Sequence, residues 1–420
     1  MLGLDDIRAA AKRIAPHVAR TPIQMSHTLS RAAGAEIHLK CENLQKTGSF
    51  KARGALNRLL GLSRAEKRRG VVAASAGNHA QGVAYAAAIA EIGATVVMPE
   101  NAAITKVEAT RGYGAEVVLA GGDYASAFRH AEELARQRRA LLVHAFDDPV
   151  VIAGQGTAAI EIIEDAPPLD AIVVPVGGGG LLAGIALATR KLAPRVRLIG
   201  AQSALASTLA PSLRSGKRIE SPPQPTIADG LATSRVGHWP WRILRGRVDR
   251  AVTVSEAEIA AAVLLLLERT KLVVEGAGAT ALAACLGPLR RELAGKRVAV
   301  VLSGGNIDVN LLDRILNLGL AEQGRVFRFA TMIVDRPGAL SALSRVLGDA
   351  GANIKTIHHD RGRIGIGVLE TLVTVDLETR GPDHVPEIVS RLRGAGYVVS
   401  VDAARAGTLK HWSSRQRSRR

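Results

Sequence analysis

Seven short runs of β-branched and aliphatic residues alternate with alanine-rich stretches in residues 1–320. The runs are Val71–Ala74, Thr95–Met98, Glu116–Leu119, Leu141–His144, Ala171–Val176, Val196–Gly200 and Arg297–Leu302. The stretches between them, such as Ala80–Ile92 and Leu181–Leu192, have the length and composition of helices. Apolar strands that alternate with helices are typical of a parallel sheet covered on both faces. The alternation therefore predicts an α/β fold for this part of the chain.

Residues 326–402 follow a different order. Strands are predicted at Arg328–Val334, Asn353–His359, Leu369–Leu377 and Val398–Asp402, with helices at Ala339–Ala350 and Val385–Arg393. This βαββαβ order is the ferredoxin-like arrangement. The segment Leu318–Arg325 contains two glycines, and we interpret it as a linker between the two parts.

The chain has a basic surplus of 55 Lys and Arg over 38 Asp and Glu, a formal net charge of +17. Such a surplus suits nucleic acid, an anionic membrane or anionic small molecules. The cations are scattered except in the tail, residues 408–420, which contains Lys410, Arg415, Arg417, Arg419 and Arg420. A nucleic-acid binder more often has a basic stripe with aromatic residues for stacking, and aromatics make up only 3% of this chain. We expect a disordered, solvated tail and no nucleic-acid function.

Cysteine usage and apolar runs indicate the compartment. Cys41 and Cys285 are the only cysteines, too few for a disulfide framework, and the CxxC and HExxH zinc patterns are absent. No signal peptide is visible, and the longest apolar run, Ala260–Leu267, is shorter than the ~20 residues that span a bilayer. We therefore expect a cytoplasmic protein without a membrane or metal partner.

Four glycine-rich turns follow predicted strands: Ser75–Gly82, Gly177–Gly180, Glu275–Gly278 and Ser303–Asn306. Glycine lets the backbone adopt positive φ and approach a ligand closely. In an open α/β sheet, ligands bind beyond the carboxyl ends of the strands. We expect the four turns to converge on one site.

The four consecutive glycines Gly177–Gly180 join the strand Ala171–Val176 to a predicted helix. Free N–H groups at a helix N-terminus bind anions, so a phosphate is the natural ligand. The same residues formally match the GxGxxA dinucleotide pattern, but Gln202 stands where that pattern requires an acidic residue, and no Walker Lys-Ser/Thr follows. The alternative, a tight turn without a ligand, stays open.

Lys51 lies in Ser49-Phe-Lys-Ala-Arg-Gly54, after an aromatic residue and before small ones. A partly desolvated lysine has a lowered pKa and can form a Schiff base. Alone this is a weak signal, because an isolated lysine is normally solvated. Together with a phosphate cradle and a polar Asn loop, it calls for a phosphorylated aldehyde, which is pyridoxal phosphate.

These motifs resemble a family. SFKARGA at Lys51, SAGNHAQG at Asn78, VPVGGGGLLAG, TIADGLA and SGGNID occur in the order found in the threonine dehydratase and serine racemase branch of the fold-type II pyridoxal-phosphate enzymes. Residues 326–402, with Asp335-Arg-Pro-Gly-Ala-Leu340 and Asn353, resemble an ACT regulatory domain. The resemblance implies two open twisted α/β lobes, a large one of residues 1–65 and 147–320 and a small one of residues 66–146, plus the ACT domain.

The resemblance also implies roles for individual residues. Lys51 would hold the cofactor as a Schiff base and later act as the base for the Cα proton. Phe50 would flank the cofactor ring, Asn78 would bond its phenolic oxygen and Ser303 its pyridine nitrogen. The phosphate would be held by Gly177, Gly178, Gly179, Gly180 and Leu181. The substrate carboxylate would be held by the loop Ser75, Ala76, Gly77, Asn78 and His79.

The implied reaction is deamination of L-threonine to 2-oxobutanoate and ammonium through loss of water. An L-serine ammonia-lyase or a serine racemase-like enzyme is the alternative, and an amino-acid-sensing protein without catalysis is a more distant one. Racemase relatives carry a serine at the position of Ala76, and this serine exchanges a proton with the substrate. The methyl group of Ala76 has no such proton, so racemisation is disfavoured. Metal-binding relatives carry acidic residues where this chain has Gln202 and Thr208, so we expect no divalent cation there.

For the ACT domain, the resemblance implies an amino-acid effector bound between paired domains, with isoleucine as the first candidate. The predicted contacts are Asp335, Gly338, Ala339, Leu340 and Asn353. Paired domains favour a homodimer or homotetramer. A domain that only dimerises is the alternative.

Overall fold

The computed structural model describes residues 2–361 and 367–401. It divides the chain into a first unit that ends at Leu311 and a second unit that begins at Leu312. The predicted end of the catalytic part, at residue 320, lies inside a helix that crosses this division. The basic tail predicted at 408–420 lies outside the described residues.

The first unit alternates helices and strands. Its helices are α1 (Leu4–Ile14), α2 (His27–Ala33), α3 (Lys51–Leu60), α4 (Arg64–Arg69), α5 (Asn78–Ala90), α6 (Ile104–Gly112), α7 (Tyr124–Arg138), α8 (Pro149–Asp165), α9 (Gly180–Leu192), α10 (Leu209–Ser215), α11 (His238–Leu244), α12 (Glu256–Thr270) and α13 (Gly276–Leu286). Its strands are β1 (Ile23–Met25), β2 (Glu36–Lys40), β3 (Val71–Ala74), β4 (Ala94–Met98), β5 (Glu116–Leu119), β6 (Leu141–Leu142), β7 (Ala171–Pro175), β8 (Arg197–Ser203), β9 (Arg250–Val254) and β10 (Arg297–Val301).

These strands form two sheets. The order β1-β2-β10-β7-β8-β9 makes a six-stranded sheet that is parallel except for β1. The order β5-β4-β3-β6 makes a four-stranded parallel sheet. We call the four-stranded sheet with α5, α6 and α7 the small lobe and the rest of the first unit the large lobe. The prediction of an α/β fold with two open sheets is confirmed.

Helix α3 packs against α5 of the small lobe and α8 of the large lobe. Glycines allow the close approach to α8, since a Cβ on Gly154 would lie 2.6 Å from the carbonyl oxygen of Arg53 and the Cα of Gly54. A Cβ on Gly54 would in turn lie 2.3 Å from the amide of Gln155. The start of α3 is therefore held tightly between the two lobes.

A buried cluster of four charged side chains lies beside α3. The guanidinium of Arg53 donates to both carboxylate oxygens of Glu42, at 2.8 Å each, and to those of Glu161 at 2.6 and 2.8 Å. Lys40 donates to Glu161 at 2.5 Å, and the hydroxyl of Thr21 donates to Glu42. Lys40, Glu42 and Arg53 are completely buried, and Glu161 is 9% exposed. The two cations balance the two anions, so the cluster is formally neutral.

Most predicted strands agree with the observed ones to within a few residues. The strand predicted at Leu141–His144 was too long, because β6 ends at Leu142. The strands β1, β2 and β9 were not predicted, since each carries polar residues that break the apolar run.

The second unit contains part of α14 (Val309–Glu322), followed by β11 (Val326–Val334), α15 (Ala339–Asp349), β12 (Asn353–Asp360), β13 (Glu370–Glu378) and α16 (His384–Gly394). Its strands form an antiparallel sheet in the order β11-β13-β12. The strand predicted at Val398–Asp402 is reduced to a single bridge between Ala330 and Ser400, and Asp402 lies outside the described residues.

The predicted linker Leu318–Arg325 was wrong for most of its length, because α14 continues to Glu322. Buried Ile315 and Gly319 lie four residues apart, on one face of this helix. The apolar spacing outweighed the glycine that had suggested a linker. Within residues 2–361 and 367–401, no helix has both the length and the apolar character needed to cross a membrane.

We predict that Arg53→Met lowers the free energy of unfolding by about 3–5 kcal/mol, because it leaves buried Glu42 without its cation. Urea unfolding monitored by circular dichroism measures the change. The matched control is Arg20→Met, since Arg20 pairs with Glu164 and Asp165 at the surface and should contribute less than about 1 kcal/mol. Equal losses in the two variants would show that the buried cluster is not a special source of stability.

Candidate active site

A cavity of about 340 Å³ lies between the two lobes, at the carboxyl ends of their parallel strands. All four glycine-rich turns contribute residues to its wall. Every residue that the sequence assigned to catalysis, cofactor or substrate lines it: Phe50, Lys51, Ser75, Ala76, Gly77, Asn78, His79, Gly177, Gly178, Gly179, Gly180, Leu181 and Ser303. The convergence expected from the turns is therefore present in the fold.

Lys51 is the first residue of α3 and points into the cavity. Its Nζ donates to the carbonyl oxygen of Ala145 at 2.9 Å and lies 5.2 Å from the centroid of the Phe50 ring. Burial lowers the pKa of Lys51 to about 8, although the nearby carboxylate of Glu275 opposes this shift. A useful fraction of the amine is therefore neutral near physiological pH, as a nucleophile or base requires.

The glycines Gly177–Gly180 form the turn between β7 and α9. Gly178 packs against Phe146, whose ring atoms would lie 2.3–2.4 Å from an added Cβ. Gly179 is the N-cap of α9 with φ +89°, a conformation that favours glycine. The first N–H groups of α9 have no partner inside the helix, so they present an anion cradle to the cavity.

The turn is braced from the other side by α11. The N–H of Gly237 donates to the carbonyl of Gly178 at 3.0 Å. The carboxylate of Asp147 accepts the N–H groups of His238 and Trp239, both at 2.7 Å, and so caps α11. The glycine turn has no side chains with which to hold its conformation, so these bonds from α11 hold it in place.

The loop after β3 enters α5 through Gly77, its N-cap. The hydroxyl of Ser75 accepts the N–H of Gly77 at 3.1 Å. The next N–H groups begin α5 and suit a carboxylate. His79 lies in α5 rather than in a loop, and its Nε2 donates to the carbonyl of Val143 at 2.9 Å. Burial lowers the pKa of His79 to about 3, so its side chain is neutral and structural.

Asn78 is held by two side chains that were not assigned to the site from the sequence. Its amide donates to Glu275 at 2.7 Å and accepts from Asn306 at 2.7 Å. Asn306 also donates to the carbonyl of Thr47 at 2.7 Å. These bonds fix which end of the Asn78 amide faces each partner.

Glu275 occupies the N-cap position of α13, but its side chain makes no capping bond. It is 4% exposed and lines the cavity. Burial, and then the negative charge of Asp229, raise the pKa of Glu275 to about 7. The sequence leaves a cavity-facing role, an N-cap and a solvated carboxylate open, and the fold favours the first. Only its position at the start of a glycine-rich turn could have indicated this.

The segment at Gln202 is held by hydrogen bonds of a neutral amide. Gln202 is completely buried, and its Nε2 donates to the carbonyls of Val176 and Ala206 at 3.2 and 3.4 Å. Its Oε1 accepts the N–H of Leu209 at 2.8 Å. The described residues contain no cluster of three or more His, Cys, Asp or Glu that could hold a metal ion.

Within a single copy of the chain, the second unit does not bring together the residues predicted to bind an effector. Asp335 follows β11 and accepts from Arg361 at 3.1 Å, and Gly338 with φ +85° caps α15. Ala339 and Leu340 begin that helix. Asn353 pairs with Glu378, whereas Val334, next to Asp335, pairs with Glu370. Glu370 and Glu378 are eight residues apart in β13, which is about 26 Å at ~3.3 Å per residue. The Asp335 turn and Asn353 therefore lie at opposite ends of the sheet.

The cavity residues fit pyridoxal phosphate. This cofactor needs an amine for its aldehyde and a cradle of N–H groups for its phosphate. Lys51 and the turn Gly177–Gly180 supply them on the wall of one cavity. Within the described part of the chain, the buried Oγ1 of Thr233, another cavity residue, has no hydrogen-bond partner.

Residues 14–304 match the family described as pyridoxal-phosphate dependent enzyme. The chain belongs to this family. It is 46% identical to the L-threonine ammonia-lyase of Thermotoga maritima over 401 residues, which cover 96% of this chain and 100% of that protein. The family uses pyridoxal phosphate, so the predicted cofactor and enzyme class are confirmed.

Solved structures of other members of the family share the fold. A T.th. threonine deaminase is 45% identical, with a TM-score of 0.69 over 73% of this chain and 99% of that one. The serine racemase of Dictyostelium discoideum is 40% identical, with a TM-score of 0.70 over 73% of this chain and 99% of that one. The predicted fold-type II architecture is thus confirmed.

We predict that the cofactor-free protein captures pyridoxal phosphate about tenfold faster per pH unit below pH 8 and at a constant rate above it, because only the neutral amine of Lys51 reacts. The plot of log rate against pH should therefore bend near pH 8. Glu275→Gln should move this bend to lower pH, since the Glu275 carboxylate raises the pKa of Lys51. Stopped-flow absorbance measures the rate.

Two variants control this measurement. Glu132→Gln removes an exposed carboxylate of α7 and should leave the bend in place. Lys51→Ala should abolish capture altogether. A bend near pH 10 in the unchanged protein would contradict the lowered pKa of Lys51.

Proposed function

We propose that this protein deaminates L-threonine to 2-oxobutanoate and ammonium by eliminating water between Cα and Cβ. The observation that carries this proposal is the half-buried amine of Lys51, which faces a glycine cradle for phosphate and a helix N-terminus for a carboxylate. The match to L-threonine ammonia-lyase along 96% of the chain supports the substrate.

The substrate carboxylate lies against the N–H groups of the segment Ser75–His79, where the loop after β3 enters α5. The helix dipole and the free N–H groups favour an anion there. The hydroxyl of Ser75 already accepts the N–H of Gly77, so it shapes the loop. This placement directs the Cα of the substrate towards the interior of the cavity, where Lys51 lies.

The bound cofactor supplies an electron sink for the bond to the Cα proton. Lys51 Nζ accepts that proton, which its lowered pKa makes possible near neutral pH. The β-hydroxyl then leaves as water with the proton that Lys51 took from Cα, which returns Lys51 to its neutral form. Hydrolysis of the resulting enamine consumes one water and releases ammonium. Asn78, fixed by Glu275 and Asn306, stays oriented throughout the reaction. The walls of both lobes limit the access of bulk water.

L-Serine is the second candidate substrate. It lacks one methyl of threonine, a difference worth only ~1–3 kcal/mol in an apolar pocket. Racemisation is disfavoured, because Ala76 in the cavity wall offers no proton to the second face of Cα. An amino-acid sensor without catalysis has no use for the reactive amine of Lys51.

We further propose that the second unit binds an amino-acid effector, with isoleucine as the first candidate, between two copies of the chain in a homodimer or homotetramer. Among the described strands, β12 has a neighbour on one side only, so its other edge is available for pairing. Antiparallel pairing of two such edges would place Asn353 of one copy near the Asp335 turn of the other. The separation of these residues within one copy supports a site shared by two copies.

We predict release of 2-oxobutanoate from L-threonine by the purified holoenzyme, pyruvate from L-serine more slowly, and no product from the D-isomers. Coupled reduction of the 2-oxo acid measures the rates. Lys51→Ala should lose at least about 10³-fold in kcat, because the proton acceptor is gone. A holoenzyme that releases no 2-oxo acid from any hydroxy amino acid would refute the proposed function.

We predict that isoleucine changes kcat/KM of the unchanged enzyme, and that Asp335→Ala and Asn353→Ala each remove this response without altering activity in its absence. The decisive experiment co-expresses the two variants. Mixed assemblies contain some sites with both residues intact, so part of the response should return. Mixtures as unresponsive as either variant would exclude a site shared between copies.

A further inference from the structure

One ion pair joins the two lobes at the cavity. Lys106 lies in the first turn of α6 in the small lobe, and its Nζ donates to Oδ2 of Asp229 at 2.8 Å. Asp229 lies in a short helix of the large lobe, Asp229–Leu231. Both side chains line the cavity. In the described ranges 2–361 and 367–401, no other salt bridge connects residues 66–146 with the large lobe.

Helix α6 is weakly anchored apart from this pair. Only Val107 and Thr110 are buried among its nine residues, and Ile104 is 79% exposed. Its N-cap, Ala103, makes no side-chain capping bond. An α-helix with so few buried contacts can move with little loss of packing.

The partner in the large lobe is held more firmly. Oδ1 of Asp229 accepts the N–H of Gly230 at 2.8 Å, which leaves Oδ2 directed to Lys106. Gly230 in turn packs against α13, since an added Cβ would lie 3.1 Å from the Cβ of Ala277. The backbone that carries this carboxylate is thus packed against α13. We infer that α6, which carries Lys106, is the half of the pair that moves.

The electrostatic surroundings keep Lys106 charged. Burial alone lowers the pKa of Lys106, but Asp229, Glu275 and Asp308 outweigh it, and the net shift is upward. The pair is still accessible to water, since the side chains of Lys106 and Asp229 are 24% and 56% exposed. Ion pairs with this exposure are weak and are screened by salt. Such a pair can open and close readily.

We propose that Lys106 and Asp229 form a latch that holds helix α6 of the small lobe closed over a bound substrate, with Lys106 acting as a positioning residue for the reaction. The inference rests on the proposed function for its substrate. Entry of an amino acid requires the mouth of the cavity to open, and the elimination requires water to be kept out while Lys51 holds the proton. A weak ion pair between a mobile helix and a carboxylate of the large lobe meets both requirements.

The alternative role for Lys106 is direct contact with the substrate carboxylate. The two roles predict different results when the charges of residues 106 and 229 are exchanged. A latch needs opposite charges on the two lobes, whichever lobe carries the cation. A substrate contact needs the cation at residue 106 itself.

The test compares Lys106→Met, Asp229→Asn and the exchanged double variant Lys106→Glu/Asp229→Lys in the holoenzyme. We expect each single variant to raise KM for L-threonine about three- to fivefold and to lower kcat less than twofold, because the closed form becomes less populated and an ion pair this exposed is weak. The double variant should recover most of the KM. High salt should raise the KM of the unchanged enzyme towards that of the single variants and leave theirs unchanged.

A control variant and a measurement of hydrogen exchange test the latch independently of the kinetic constants. Arg111→Met removes an exposed ion pair with Glu108 in the same helix and should change neither constant. Hydrogen exchange of the α6 amides in the holoenzyme should accelerate in both single variants and return to normal in the double variant. Unchanged KM in the single variants, or a double variant as impaired as either, would overturn the latch. If no 2-oxo acid is formed by the unchanged enzyme, the proposed function fails, and the exchange rates alone decide the latch.

Discussion

The buried pairing of Arg53 with two carboxylates is the interaction on which the catalytic unit depends most. It joins β2, the turn after it and α3 to α8, which lies more than 100 residues further along the chain. Burial alone raises the pKa of Glu42, yet the Arg53 guanidinium outweighs it and holds that pKa below its usual range. Each charge therefore has a partner, as a buried ion needs if it is not to be neutralised. The pairing therefore ties α3 to the end of β2 and to α8.

The reactive cavity results from parallel strands that end in turns with few side chains. The turns of the two sheets face each other, so a phosphate cradle from one lobe meets a carboxylate loop from the other. Burial moves the pKa of Lys51 down to about 8 and that of Glu275 up to about 7. Both groups therefore change charge near neutral pH, and each influences the other through its charge. Groups whose pKa values are shifted towards the working pH are characteristic of sites that transfer protons.

The sequence predicted those features that depend on local pattern. Apolar strands, helical periodicity and glycine turns each have a signal within about ten residues, and the parallel topology then brings the turns together. Glu42 and Glu161 had no such signal, because they resemble surface carboxylates until the fold places Arg53 between them. The strand β2 was missed for the same reason, since Lys40 at its end is polar in sequence and completely buried in the fold. Glu275 also required the fold, because its partner Asn78 lies 197 residues away.

Lys51 and Arg53 show how one helix gives two basic side chains opposite properties. They lie two residues apart, about 200° around the axis of α3 at ~100° per residue, so they point to opposite sides. Lys51 faces a cavity in which none of the described carboxylates is within hydrogen-bonding contact, and it lies at the positive end of the helix dipole, which also disfavours a cation. Arg53 faces two carboxylates, and its pKa is raised. The charge balance of the cluster thus fixes the helix, while the amine at its first turn stays free to lose its proton.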